Sequence, residues 1–335
     1  MTQEAPVGAI DELDRRVIAA LQLNGRASWS AIARRVGASE TTAQRRYTAM
    51  RERGLLRVTG TLELDRTREG SSMLVRVQAR PGRGLEAAAR FADSPDVRFV
   101  AVVTGSADLI VDFVARDNEE MMRMLFTDLP AADLITSTEA APVIRAFTRA
   151  GRWDTGLLPP AAVADLRPDP SPSWHDRPGR DRAPQALTPL EQEIAAALRE
   201  DGRVQVSVLA RRLKHAQSSV ARAMDRLISR GILQFRTLVD PKLLGFDAEF
   251  MVWLSIEPDQ LDVAGQQLAK HPGTKFVSAA TGRFNLVGHV VLPRRADLFP
   301  YTRDVIGALP GLIASDVTLH LVTMKYSWHQ LVRPA

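Results

Sequence analysis

Ala33-Arg34-Arg35-Val36-Gly37-Ala38-Ser39 decides the fold, because it recurs 177 residues later as Ala210-Arg211-Arg212-Leu213-Lys214-His215-Ala216. In the first copy a short helix capped by Ser28 puts Trp29, Ile32, Ala33 and Val36 on one face until Gly37 breaks it. Ser39 then caps a further helix that runs to about Arg53 and ends at Gly54. Two helices joined by a tight glycine turn make a helix-turn-helix pattern, and the earlier stripe Leu13, Val17, Ala20, Leu21 supplies a helix for them to pack on. Leu55 to Leu62 alternates and reads as a small wing hairpin. In the third helix Ala43, Tyr47 and Met50 fall at i, i+4 and i+7 and should face inward. The opposite face carries Thr41, Gln44, Arg45 and Thr48, with Ser39 and Thr42 at its start and Glu40 and Arg46 on its flanks. These are residue types that read base edges and hold phosphates.

The same shift lays Gly25-Arg26 on Gly202-Arg203, Arg53-Gly54 on Arg230-Gly231, Pro95 on Pro272 and Thr104-Gly105 on Thr281-Gly282. One plan is therefore used twice. Between the copies, residues 151–186 hold Pro159, Pro160, Pro168, Pro170, Pro172, Pro178 and Pro184 among Asp, Arg and Ser, a composition expected to bury no core and to act as a semi-extended linker. After each helical head comes a strand-rich body with the order β-α-β-β-α-β, from Met73 to Phe147 and again from Phe250 to Tyr326. This is the ferredoxin-like pattern, a four-stranded sheet with both helices on one face. Leu109-Ile110-Val111 and Val290-Val291-Leu292 are continuous apolar runs, which implies burial on both faces. The helices cover only one face, so the sheet of the other body is expected to cover the second as a sandwich. The expected fold class is α+β: two winged helix-turn-helix domains, 8–62 and 187–240, and two ferredoxin-like βαββαβ domains, 70–148 and 246–330, in tandem around the linker.

Length and composition agree. At 335 residues the chain exceeds one domain of ~150 residues. The absence of cysteine removes disulfide scaffolds, thiolate metal sites and cysteine nucleophiles, and fits a reducing compartment. Met1 to Arg16 carries acids and no signal-peptide core, and no apolar run approaches the ~20 residues of a membrane span, so a cytoplasmic protein with no membrane partner is expected. The net charge of +5 is uninformative until it is located. Asp11 to Gly60 has 10 basic and 5 acidic residues, and Thr188 to Val239 has 9 and 5. The bodies reverse the sign, with 8 against 11 in Ser71 to Phe147 and 7 against 8 in Phe246 to Tyr326. The excess sits on the heads, where phosphate neutralisation would use it.

Helical heads followed by β-α-β-β-α-β modules resemble the Lrp/AsnC (feast/famine) transcription regulators, here in a fused double-length form. The resemblance covers nearly the whole chain twice. Its most specific marks are Leu13-Asp14, Ala33-Arg34-Arg35-Val36-Gly37, Arg53-Gly54-Leu55-Leu56 and the loop Thr104-Gly105-Ser106-Ala107-Asp108-Leu109. It implies double-stranded DNA as one partner, a small-molecule effector, usually an amino acid, as another, and homo-oligomers built from pseudo-dimers within one chain. In the family the loop matching Thr104 to Asp108 lies where effector modules meet and helps form the small-molecule pocket.

Physically, Gly105 permits a close backbone approach to a carboxylate and Asp108 offers an acceptor for an ammonium group; a plain hairpin turn whose Asp satisfies a backbone N–H is the alternative. The second copy reads Thr281-Gly282-Arg283-Phe284-Asn285, so its ligand is expected to be lost or changed. The second head exchanges Gly37 for Lys214 and Ser39 for Ala216, and its reading face becomes Ser218, Ala221, Arg222 and Asp225, with Gln217, Ser219 and Arg226 alongside. An asymmetric DNA site is expected. The six histidines show no metal-ligand spacing, and no P-loop or nucleophile elbow occurs, so no metal, cofactor or catalytic residue is expected. His289 and His320 are expected in strands, packed or partnered. Two alternatives stay open: a tetrapyrrole (haem-pathway) decarboxylase built on the same tandem architecture, of which Asn285 and His289 carry an echo, and a metabolite sensor that no longer binds DNA.

Overall fold

The computed structural model describes residues 10–67, 70–148, 153–167 and 186–331. Along the chain come α1 (Glu12–Leu23), α2 (Trp29–Val36), α3 (Glu40–Glu52), β1 (Leu56–Leu62), β2 (Ser71–Ala79), α4 (Gly84–Asp93), β3 (Val97–Thr104), β4 (Leu109–Ala115), α5 (Asn118–Phe126) and β5 (Ile135–Thr148). Then follow α6 (Pro160–Leu166), α7 (Pro189–Glu200), α8 (Val206–Leu213), α9 (Gln217–Ser229), β6 (Leu233–Val239), β7 (Ala248–Ile256), α10 (Leu261–Ala269), β8 (Thr274–Ala280), β9 (Leu286–Leu292), α11 (Leu298–Tyr301), β10 (Leu312–Tyr326) and β11 (His329–Gln330). These segregate into two bodies, one built by residues 10–67, 153–167 and 186–244, the other by 70–148 and 245–331.

In the helical body, Val17, Ile18, Leu21, Ile32, Ala33, Val36, Ala43, Tyr47 and Met50 form the interior of the first head, with the α3 stripe facing inward as its spacing dictates. The second head repeats this with Ile194, Leu198, Leu209, Val220, Met224 and Leu227. The wing hairpin expected at Leu55 to Leu62 does not form. β1 is a single strand whose partner is β6, antiparallel, with Leu56 opposite Val239 and Leu62 opposite Leu233. Residues of β1 from Val58 to Thr61 are buried on both faces, because this part of the strand lies between the two heads. The repeated Gly-Arg pairs make this junction. A Cβ on Gly202 would stand 2.9 Å from the Thr59 backbone, and one on Gly25 would stand 2.9 Å from Val58 Cγ1. Arg26 donates to Gly202 O and Val204 O, while Arg203 donates to Gly25 O and Ala27 O, a reciprocal clasp. Arg203 also lies over the Trp29 ring at 4.1 Å.

The linker expectation needs a second correction. Within 153–167, Trp153, Leu158, Ala162, Val163 and Leu166 are buried, α6 packs on α1 and α2, and Asp165 pairs with Arg35. Pro159 and Pro160 open α6, where a missing N–H costs nothing. Composition counted the prolines and overlooked this apolar stripe. The rest of the linker, including Pro168, Pro170, Pro172, Pro178, Pro184 and His175, lies outside the described residues, as does the tail before residue 10.

In the strand-rich body, β5 pairs with both β2 and β8, and β10 with both β3 and β7. The order β10-β3-β4-β2-β5-β8-β9-β7 therefore returns to β10 and closes a ring. The expected sandwich is thus two sheets sharing strands along both edges, since β5 and β10, at 14 and 15 residues, are long enough to serve both. Every residue of β4 and β9 is buried, in keeping with their continuous apolar runs. Leu74, Ala101, Val103 and Ile110 meet Met251, Trp253, Ala280 and Val287 inside the ring. Outside it, α4 packs Ala87, Ala88 and Phe91 on one module and α10 packs Ala264 and Leu268 on the other. The second helix of the later β-α-β-β-α-β order is not continuous but forms a 3-10 turn at Arg295–Asp297, α11 and a π turn at Thr302–Ile306, because Pro300 fits only in a first helical turn.

Candidate functional site

Ser39 is the N-cap of α3: its Oγ accepts the Thr42 N–H at 3.1 Å and bonds the Thr41 and Thr42 hydroxyls. Thr41, Gln44 and Arg45 are exposed, Thr42 and Thr48 half-buried. Arg45 has no hydrogen-bond or ion-pair partner among the described residues. Arg46 differs: its Nη1 lies 2.7 Å from Asp11 and 3.4 Å from the buried Asp14, the pair that forms the capping box of α1. The structure therefore gives Arg46 the task of tying α3 to the start of α1. The same contact explains Asp14 in the Leu13-Asp14 mark.

In the second head, Gln217, Ser218, Arg222, Asp225 and Arg226 are exposed on α9, and Ser219 and Ala221 half-buried. Arg222 holds the place of Arg45, and its Nε donates to Ser218 O at 3.3 Å. Arg226 lies 3.7 Å from Glu191, a buried carboxylate that also faces Arg230 at 3.8 Å. Lys214 takes the left-handed conformation of Gly37, at φ +59° against +73°, and Ala216 makes no side-chain cap. The turn keeps its shape and loses two of its supports.

The loop Thr104 to Asp108 joins β3 to β4, with Gly105 at φ +111° and only Ala107 buried. Asp108 Oδ2 accepts the Ala79 N–H at 2.8 Å. At the equivalent place, Asn285 Oδ1 accepts the Ile256 N–H at 2.8 Å and its Nδ2 donates to Ile256 O at 2.7 Å. Both side chains pin a hairpin to the end of its module's first strand, which accounts for an acid in one copy and an amide in the other. Thr281, Gly282 and Arg283 are exposed, and Arg283 lies over Phe284. Ser106 joins a hub around the buried Arg76, which bonds Ser106, Asp316 at 2.5 Å and Glu139 at 3.2 Å, and whose guanidinium sits 5.1 Å and 5.2 Å from the Trp253 and Phe284 rings.

Deeper inside the ring are two polar clusters, of which the sequence singled out only His289 and His320, as strand residues packed or partnered, without bringing them together. In the first module Ser72 Oγ donates to Asp112 at 2.6 Å, and Arg98 reaches Asp112 Oδ2 through Nε at 2.9 Å and Nη2 at 2.5 Å. Moving on 177 residues converts Ser72, Arg98 and Asp112 into Glu249, Lys275 and His289. There His289 Nε2 stands 3.0 Å and Lys275 Nζ 3.4 Å from Glu249 Oε2. β10 adds His320, stacked on His289 with ring centres 4.8 Å apart, and Phe99 closes over both. Burial drives His320 down to about 3. Burial and then Lys275 lower His289 against the pull of Glu249. Burial alone would raise Glu249, but Lys275 and His289 outweigh it and hold the carboxyl below its ordinary range. Two neutral imidazoles and a carboxylate therefore face one another at neutral pH. No spacing signal could have revealed them, since each comes from a different strand.

Comparison with known proteins follows the same division. A model of the AsnC-type helix-turn-helix domain matches residues 10–51, one of the Lrp/AsnC ligand binding domain matches 72–153, and one of a winged helix-turn-helix DNA-binding domain matches 187–234. The HTH-type transcriptional regulator FL11 of Pyrococcus horikoshii is 30% identical over 118 residues, 35% of this chain and 78% of that protein. An uncharacterized HTH-type transcriptional regulator of Pyrococcus abyssi is 28% identical over 134 residues, 39% of this chain and 84% of its own length. Among solved structures, the siroheme decarboxylase NirDL shares the fold over 94% of this chain and 93% of its own, with a TM-score of 0.61 at 15% identity. Among the described residues no helix is long and apolar enough to cross a membrane.

Proposed function

The chain belongs to the Lrp/AsnC family of HTH-type transcriptional regulators, and from that premise we propose that it binds a specific duplex DNA site through α3 and α9 under the control of a small molecule, an amino acid, held at the effector modules. The observation that carries this reading is the outward face of α3. Thr41, Gln44 and Arg45 stand in solvent on a helix whose other face is engaged, within a head of net charge +5. In this reading the chain is a complete tandem duplication, with domains at 8–62, 70–148, 187–240 and 246–330. Each pair acts as a dimer inside one cytoplasmic chain, and chains associate further into homo-oligomers. The unequal faces of α3 and α9 suit an asymmetric operator, with α9 gripping mainly phosphates.

The test is a mobility shift of the full-length protein on its own promoter region, with and without amino acids. Arg45→Ala should weaken the shift and lower the salt slope by about 1, as expected for one lost phosphate contact. No shift by the parent protein at low salt would overturn the reading and favour a sensor that has lost DNA binding. A second reading, decarboxylation of a tetrapyrrole, draws on the likeness to NirDL, which at 15% identity is one of fold. It predicts loss of carbon dioxide from added sirohaem, and the regulator reading predicts none.

A further inference from the structure

We propose that Glu249, His289 and His320 form a binding site for a first-row divalent cation of the zinc or cobalt type. The donor set, two imidazoles and a carboxylate, is one such ions take. One ligand atom from each residue lies within 4.8 Å of the others, and His289 Nε2 and Glu249 Oε2 are already 3.0 Å apart. A tetrahedral ion with bonds of ~2.0–2.1 Å separates its ligand atoms by about 3.3 Å, so the set has to contract only from 4.8 Å to receive one.

Three further observations point to a ligand rather than to packing alone. His320 is 8% exposed, yet neither of its ring nitrogens has a hydrogen-bond partner. A buried imidazole left in that state forfeits its hydrogen bonds to water without replacement, unless something else binds it. Secondly, the equivalent positions in the first module are closed: Arg98 and Ser72 satisfy Asp112, and Val143 stands where the second copy has His320. All the departures from that closed pattern place metal-ligand types in the second copy, except Lys275. Thirdly, the ligands come from three adjacent strands, β9 and β10 flanking β7, with Met251 of β7 opposite both His289 of β9 and Thr318 of β10, so the backbone already holds them in register.

Lys275 is the opposing feature. Its ammonium shares Glu249 Oε2 with His289, so an arriving cation competes with a resident positive charge. That competition supplies a variant with the opposite sign. The site stands apart from the regulator reading, because occupancy is measured without DNA or an amino acid.

The experiment titrates metal-stripped full-length protein with Co²⁺, following the visible absorption of a four-coordinate cobalt centre, and then displaces it with Zn²⁺. One ion per chain is expected. His320→Ala and Glu249→Gln should each weaken binding by at least about 100-fold, since losing a direct ligand costs no less than the ~10–100-fold that losing a supporting outer partner costs. Lys275→Gln should tighten it about tenfold, and circular dichroism checks that each variant is folded. Substoichiometric cobalt with no tetrahedral bands, or an unchanged affinity in folded His320→Ala, would overturn the proposal.

Discussion

The two β-α-β-β-α-β modules use the same three strand positions for opposite ends. Ser72, Arg98 and Asp112 close on one another, each polar group finding a partner of fixed geometry. Glu249, Lys275 and His289 crowd one carboxylate oxygen, and His320 beside them has no partner at either nitrogen. The backbone registers match, since Leu74 faces Asp112 as Met251 faces His289. Equal architecture therefore leaves chemistry open: one module spends its interior polarity on stability, and the other retains unsatisfied groups at a cost that a bound ligand would offset.

Breaking the closed network should have the largest effect. Asp112→Ala leaves the guanidinium of Arg98 inside the ring without its carboxylate and should destabilise the body by about 3–5 kcal/mol in urea unfolding. His289→Ala removes a neutral ring and should cost about 2 kcal/mol. Equal costs would dissolve the contrast between the modules. Next come the two glycines of the helical body. Gly202→Ala drives a Cβ into the Thr59 backbone and should cost about 2–3 kcal/mol, whereas Gly25→Ala meets Val58 Cγ1 and Phe235 Cβ, side-chain rather than backbone atoms, and should cost about 1–2 kcal/mol. The smallest effects belong to the turns. Ser39→Ala should lose about 1 kcal/mol, and Ala216→Ser and Lys214→Gly should each gain up to about 1 kcal/mol, read as shifts in the thermal midpoint. A Lys214→Gly protein no more stable than its parent would show that the left-handed lysine is held by something other than its turn.

Much of this was legible in residue order. The inward stripe Ala43, Tyr47, Met50, the cap at Ser39 and the doubly buried β4 and β9 follow from periodicities that local geometry imposes. The pairing of Arg46 with Asp11 and Asp14 was not legible, because helix position says which face a side chain occupies but not which residues wait there. Alternation in β1 suggested a hairpin because a strand pattern does not name its partner, which proved to be β6 in the other copy. The linker prolines hid α6, whose Ala162, Val163 and Leu166 are too few to stand out from composition.

The sequence by itself determined the repeat, most of the element types, the segregation of positive charge onto the heads and the outward faces of α3 and α9. Apart from the repeat, which a single shift of 177 residues reveals, these depend on spacing within about a dozen residues or on counting. Only the tertiary structure decided the reciprocal clasp of Arg26 and Arg203, the closure of the ring through β5 and β10, and the meeting of Glu249, His289 and His320. The physical reason is that strand pairing is non-local. Hydrogen bonds between backbones bring side chains together irrespective of their identity, so what gathers inside a closed sheet is settled by register and partner, which no local pattern encodes.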